Sequence, residues 1–170
     1  MQKLWSTPEE AVAAAMHFVA PFQDEDVVYD VGCGDGRVLI NFAKEDGTPE
    51  GTRFIGIEID EVRAAEAKEN VEKEGLSERI EIICQNALMV DYNDATVIFL
   101  YLIPRGLRLI KPILLGEEGA KRAGRVRIVT YMSEFEGEVF QKKVTVEVKH
   151  QEGSGWPIHL YEFVDGSGVA

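Results

Sequence analysis

Two hydrophobic periods alternate along this chain. Short, nearly continuous apolar runs over residues 27–31, 53–59, 80–84, 96–102 and 125–131 predict five strands. Amphipathic stretches separate them. Residues 36–44 put Val38, Leu39 and Phe42 on one helical face, and 61–74 and 105–115 predict two more helices. A further helix opens near the N-terminus, with Thr7 expected as N-cap, Pro8 at the first helical position and Glu10 as the reaching acid of a capping box. Val12, Ala15, Met16 and Val19 form its apolar face, and Pro21 ends it. Asp60 is expected to cap the 61–74 helix and Gly75 to close it.

After residue 131 the pattern changes. Val144, Val146 and Val148 alternate with polar residues, and 158–164 reads as another strand after a glycine-rich turn. Two strands with no helix between them predict an antiparallel hairpin on one sheet edge. The expected architecture is α/β: a doubly wound, seven-stranded, mostly parallel sheet ending in that hairpin. The 170 residues suit a single domain, with 1–21 as an N-terminal capping helix and 165–170 as a loose tail.

Composition narrows the picture. The net charge of −12, from 18 basic and 30 acidic residues, argues against bulk nucleic acid, which needs a basic footprint. It favours solubility and a cationic partner. The longest apolar run, 97–103, is far too short to span a bilayer. No signal or transit pattern is read at the N-terminus, so a cytoplasmic location is expected, with a mitochondrial one open if a leader has been trimmed. Cys33 and Cys84 lack metal or disulfide spacing and are expected as free thiols; no metal site is expected. His17, His150 and His159 lie apart, without a nucleophile and acid in an obvious arrangement, and are read as structural.

Three segments carry chemistry. Asp30 ends a strand, Gly32, Gly34 and Gly36 follow, and a helix starts at once, so bare backbone can approach a small ligand at a helix N-terminus. A dinucleotide loop would want a third glycine where Arg37 stands, and Asp30 would oppose a pyrophosphate but suit a cationic amino-acid end. Glu58 ends the second strand, across the crevice from that loop, where a carboxylate can accept two ribose hydroxyls. Asn86 could accept from an exocyclic amine and the Ala87 amide could donate to a ring; a lone Asn after a strand is also a common turn residue.

Together these segments resemble the class I, Rossmann-like S-adenosylmethionine-dependent methyltransferases. The resemblance implies S-adenosyl-L-methionine as cofactor. It places the methionine part on Asp30, Gly32, Cys33 and Gly34, the ribose on Glu58, and the adenine on Asn86 and Ala87, with further contacts from Thr7, Ile59 and Tyr101. A narrower resemblance rests on Thr7-Pro8-Glu9, on residues 29–37, on Gly56-Ile57-Glu58-Ile59, and on Ala95-Thr96-Val97, Ser133-Glu134-Phe135 and His159-Leu160-Tyr161. These are similar to a small protein-lysine methyltransferase group that includes archaeal broad-specificity enzymes and methylases of the ATP synthase c subunit. The chain departs from the archaeal pattern at Trp5, in a segment usually richer in Pro and Tyr.

The resemblance implies methyl transfer to a lysine amine of a protein substrate. Tyr101, Tyr131 and Glu134 are the candidates to orient that amine or pass its proton to water. After strand four, Tyr101-Leu102-Ile103-Pro104 lacks the Asn/Asp-Pro-Pro-aromatic run common in base N-methylases. Transfer to a small molecule or to RNA, and a non-catalytic cofactor-binding module, stay open as alternatives. The pattern does not define an oligomeric state.

Overall fold

The computed structural model describes residues 6–116, 125–137, 142–149 and 155–163. Seven strands, β1 Val27–Val31, β2 Arg53–Glu58, β3 Ile80–Cys84, β4 Val97–Leu100, β5 Val126–Tyr131, β6 Lys142–Lys149 and β7 Gly155–Phe163, form one sheet in the order β3-β2-β1-β4-β5-β7-β6. The first five are mutually parallel, and β7 runs antiparallel to both β5 and β6. The expected edge hairpin is therefore present, two residues longer at its start than the valine alternation shows.

Helices cover both faces. The helices are α1 Glu9–Val19, α2 Arg37–Lys44, α3 Glu61–Lys73 and α4 Pro104–Leu115. Val12, Leu39, Phe42 and Ala67 of the first three pack with Val28, Phe54 and Phe99 in one core. Leu107, Ile110 and Leu114 of α4 pack with Tyr29, Ile57, Ile98 and Leu100 in the other. β1 and β4 are buried at every position, which explains their unbroken apolar runs. No described helix is long and apolar enough to cross a membrane.

Several local expectations change. Pro8, not Thr7, stands at the N-cap of α1, with an extended backbone and no side-chain cap; the Ala11 and Val12 amides donate to the Pro8 carbonyl. The capping box does not form, and Thr7 is buried instead. β2 stops at Glu58, leaving Ile59 66% exposed, and β4 stops at Leu100, so Tyr101 and Leu102 are free of the ladder. A 3-10 turn, Ala87–Met89, was not anticipated. Asp60 caps α3 as expected, accepting from the Arg63 amide at 3.0 Å, and Gly75 follows that helix at φ +69°. His150 and the tail 165–170 lie outside the described residues.

The N-terminal ends of the strands are locked by a polar network. Arg127 donates to Asp26 at 2.9 Å and to the Val19 carbonyl, while Thr96 donates to the other Asp26 oxygen at 2.6 Å. This ties the end of α1 to β5 and the start of β1. α1 consequently runs antiparallel to β5, with Glu9 and Glu10 at the end of the sheet where the strands terminate.

Candidate functional site

The chain order reverses at β1, whose neighbours are β2 on one side and β4 on the other. The crevice beyond the ends of β1 and β4 is where ligands bind in such sheets. All three chemistry-bearing segments open there. The turn after β1 is built by left-handed backbone at Gly32, Gly34 and Gly36, with φ of 80°, 58° and 83°. The Gly32 and Cys33 amides donate to the Ile57 carbonyl, which bends the loop onto the end of β2. A side chain at Gly32 would meet Leu102 at 3.5 Å, so the same loop abuts the segment after β4.

Glu58 is 5% exposed and held by main-chain donors. Its Oε2 accepts from the Gly34 amide at 3.0 Å and its Oε1 from the Asp60 amide at 3.0 Å. The Arg63 guanidinium lies 3.7 Å from Oε2. An ionised carboxylate has about four acceptor positions, so two directions remain for outside donors. A vicinal diol matches that supply.

Asp30 is buried beneath the loop, and its Oδ2 has no hydrogen-bond partner. Burial, and then the neighbouring Glu58 and Asp35 carboxylates, push its pKa up to about 8. Asp35 is held below the ordinary carboxylate range by the Arg37 guanidinium, which donates to both its oxygens, although its own partial burial is the largest single influence and opposes them. An orphaned acid among acids is the signature of a site completed by a cation. The residues present thus fit S-adenosylmethionine, with its cationic amino-acid and sulfonium end at Asp30 and the glycine loop, and its ribose at Glu58. Cys33 is buried in this loop with its thiol pushed up by burial, which makes it inert packing.

The third segment does two things. The Asn86 Oδ1 accepts from the Leu88 amide at 3.0 Å, capping the 3-10 turn, so the turn role is real. The Tyr92 hydroxyl donates to the Ala87 carbonyl at 2.8 Å and fixes that turn against the core. Ile59, just after β2, and Met89, in the 3-10 turn, are exposed apolar residues. Tyr92 is a supporting residue that sequence reasoning missed. Its only signal was an aromatic following an acid in a turn.

The acceptor-side candidates separate into two groups. Tyr101 and Tyr131, at the ends of β4 and β5, pack edge to face with ring centroids 4.9 Å apart. Tyr131 is 1% exposed, and burial, Tyr101 and then Glu10 of α1 push its hydroxyl up to about 12. Burial also raises Tyr101. Glu134 instead stands half exposed in an ion pair with Lys143 of β6. Next to them, His159 is buried, its Nδ1 2.8 Å from the Thr145 hydroxyl, with its pKa lowered by burial. Thr7 is buried at the head of α1. Both cysteines are free thiols, and among the described residues no group of His, Cys, Asp or Glu could hold a metal ion.

Several known proteins share this arrangement or this sequence. The family model described as the ANTKMT methyltransferase domain matches residues 30–149. A protein-lysine N-methyltransferase of Saccharolobus islandicus (strain REY15A) is 35% identical over 131 residues, covering 77% of this chain and 76% of that protein. An RNA methyltransferase from Salinibacter ruber, solved with S-adenosyl-L-homocysteine, shares the fold with a TM-score of 0.75 over 98% of this chain and 97% of that one, at 24% identity. An O-methyltransferase from Bacillus cereus, also solved with that product, superposes with a TM-score of 0.64 over 94% of this chain and 82% of that one, at 16% identity. The glycine loop, the strand-end acid and the match across 30–149 therefore agree: the chain belongs to the ANTKMT methyltransferase domain family and is an S-adenosylmethionine-dependent methyltransferase.

Proposed function

We propose that this enzyme methylates the side-chain amine of lysine in a protein substrate. The observation that carries the reading is the 35% identity to a protein-lysine N-methyltransferase across three quarters of both chains. The net charge of −12 supports it, because it attracts a cationic side chain and repels RNA.

The cofactor supplies an activated methyl group on a positively charged sulfur. Asp30 neutralises that end of the crevice, and Glu58 accepts the ribose hydroxyls. Asn86, Ala87 and Ile59 line the adenine. Cys33 and the glycines leave the loop backbone open to the methionine part, and Thr7 and Tyr101 close it from α1 and β4.

What remains for the enzyme is to present a neutral amine in line. A lysine near its reference pKa of about 10.4 costs roughly 4–5 kcal/mol to deprotonate at neutral pH. Tyr101 offers its ring face to the lysine stem and cation. Tyr131, held by the ring pair and close to Glu10, orients the amine as its proton leaves to water. Glu134 forms the acidic rim over which the substrate approaches.

Incubation with methyl-labelled cofactor and whole-cell extract tests the assignment. Label in protein, located on lysine by mass spectrometry, is the expected result. Label confined to RNA or to small metabolites overturns it.

A further inference from the structure

Arg63 is in an unusual place for a cation. It sits in the first turn of α3, where the helix dipole favours negative charge. Something other than helix preference must hold it there. Its backbone amide is tied to the Asp60 cap at 3.0 Å, which fixes the root of the side chain. The guanidinium then turns back over the glycine loop. A Cβ built on Gly34 would come within 2.5 Å of the Arg63 Nη2, so the group lies directly on that residue's bare Cα. From there Nη1 faces Glu58 Oε2 at 3.7 Å.

That distance matters. It is close enough to balance the charge of a buried carboxylate, and too long for a hydrogen bond that would consume the oxygen's remaining acceptor direction. The other nearby cation, Arg37, is committed to Asp35. Glu58 thus has two amides to orient it and one guanidinium to neutralise it, and its outward face stays free. Gly34 serves twice, since it adopts a left-handed backbone and also leaves room for a planar cation.

We propose that Arg63 is a positioning residue for cofactor recognition: it acts through Glu58, holding that carboxylate in the pose that accepts the ribose diol. It does not itself touch the cofactor. The inference rests on Glu58 as the ribose acceptor.

Calorimetry on the full chain tests it, with S-adenosylhomocysteine and its 2′,3′-dideoxy analogue as probes and a thermal melt beside each titration. The wild type is expected to prefer the diol-bearing probe. In Arg63→Met that preference should fall about tenfold, through weaker binding of the diol-bearing probe alone, since the charge that balances and holds Glu58 is being removed. Arg63→Lys, which keeps the charge and loses the planar fork, should fall between. If Arg63→Met fails to fold, the ratio in Arg63→Lys decides. A preference that is unchanged in the folded variants, or both probes weakening equally, overturns the role of Arg63 while leaving Glu58 as ribose acceptor. A wild type with no preference overturns both.

Discussion

The two halves of the crevice are built on different principles. On the β1–β2–β3 side, carboxylates are buried around one loop: Asp30 lies beneath it with an unpartnered oxygen, and Glu58 is aimed by the Gly34 and Asp60 amides. On the β4–β5–β7 side, the groups are phenols in a ring pair and an ion pair at the surface. The first half suits one small molecule of constant shape. The second would serve the proposed protein substrate, of which a single side chain enters.

The largest effect that would break this contrast lies at Glu58. Glu58→Ala removes the diol acceptor and leaves two amides without their partner. Affinity for S-adenosylhomocysteine should fall about 30- to 150-fold by calorimetry, since losing the diol's hydrogen bonds to a charged acceptor costs about 2–3 kcal/mol. A loss of twofold or less would remove the acid from the recognition scheme.

Next comes the opposite half. Tyr131→Phe should lower kcat for protein methylation by about tenfold, the loss of about one hydrogen bond that orients the amine. Cofactor affinity should stay within about twofold. If the two parameters fell together, the halves would not be separable.

A smaller effect comes from pH. With its pKa near 8, Asp30 holds a proton at neutral pH, and a bound cation favours its ionised form. Cofactor binding therefore releases a proton, and affinity should weaken roughly fivefold between pH 8 and pH 7. The folding stability of the cofactor-free chain should move the other way. The native state keeps a proton that the unfolded chain gives up, so stability falls as pH rises from about 4 toward 8. A flat affinity profile together with a flat stability profile would show that Asp30 is not the linked group.

The smallest expected change is Glu134→Gln. An exposed ion pair of this kind contributes about 0–1 kcal/mol, and kcat should shift by less than about twofold. A tenfold fall would return Glu134 to the chemistry and move the acceptor site toward β6.

These halves also differ in how legible they were. The fold class and the candidate cofactor residues follow from contiguous signals: a strand, an acid, spaced glycines, a helix. Asp60 as a cap and Gly75 as a terminator are equally local, and both hold. The errors fall where tertiary contacts outweigh local preference. Thr7 has the right residue type to cap α1, yet it is buried and the helix begins one step later. Tyr92 and Arg63 were invisible although Ala87 and Glu58 are near them in sequence, because each contact crosses a turn with no helical or strand period to mark it, and Gly34 meets Arg63 only in the folded chain. The ion pair of Glu134 depends on Lys143, which lies on β6.

One further feature links the two ends of the protein. Met132, just after β5, has a left-handed backbone with φ of 68°, which a residue with a Cβ tolerates at a cost of about 1–2 kcal/mol. Its amide donates to the Pro157 carbonyl at 2.8 Å, and its side chain packs against the core beneath α1. The direction in which residues 133–135 leave the sheet is therefore set jointly by that burial, by the Pro157 contact and by the Ser133 amide donating to the Tyr131 carbonyl at 2.9 Å. A loosened core beneath α1 would let this bend relax and redirect the rim. Engineering of the helix interface would then alter which substrates enter, without touching a single residue that contacts them.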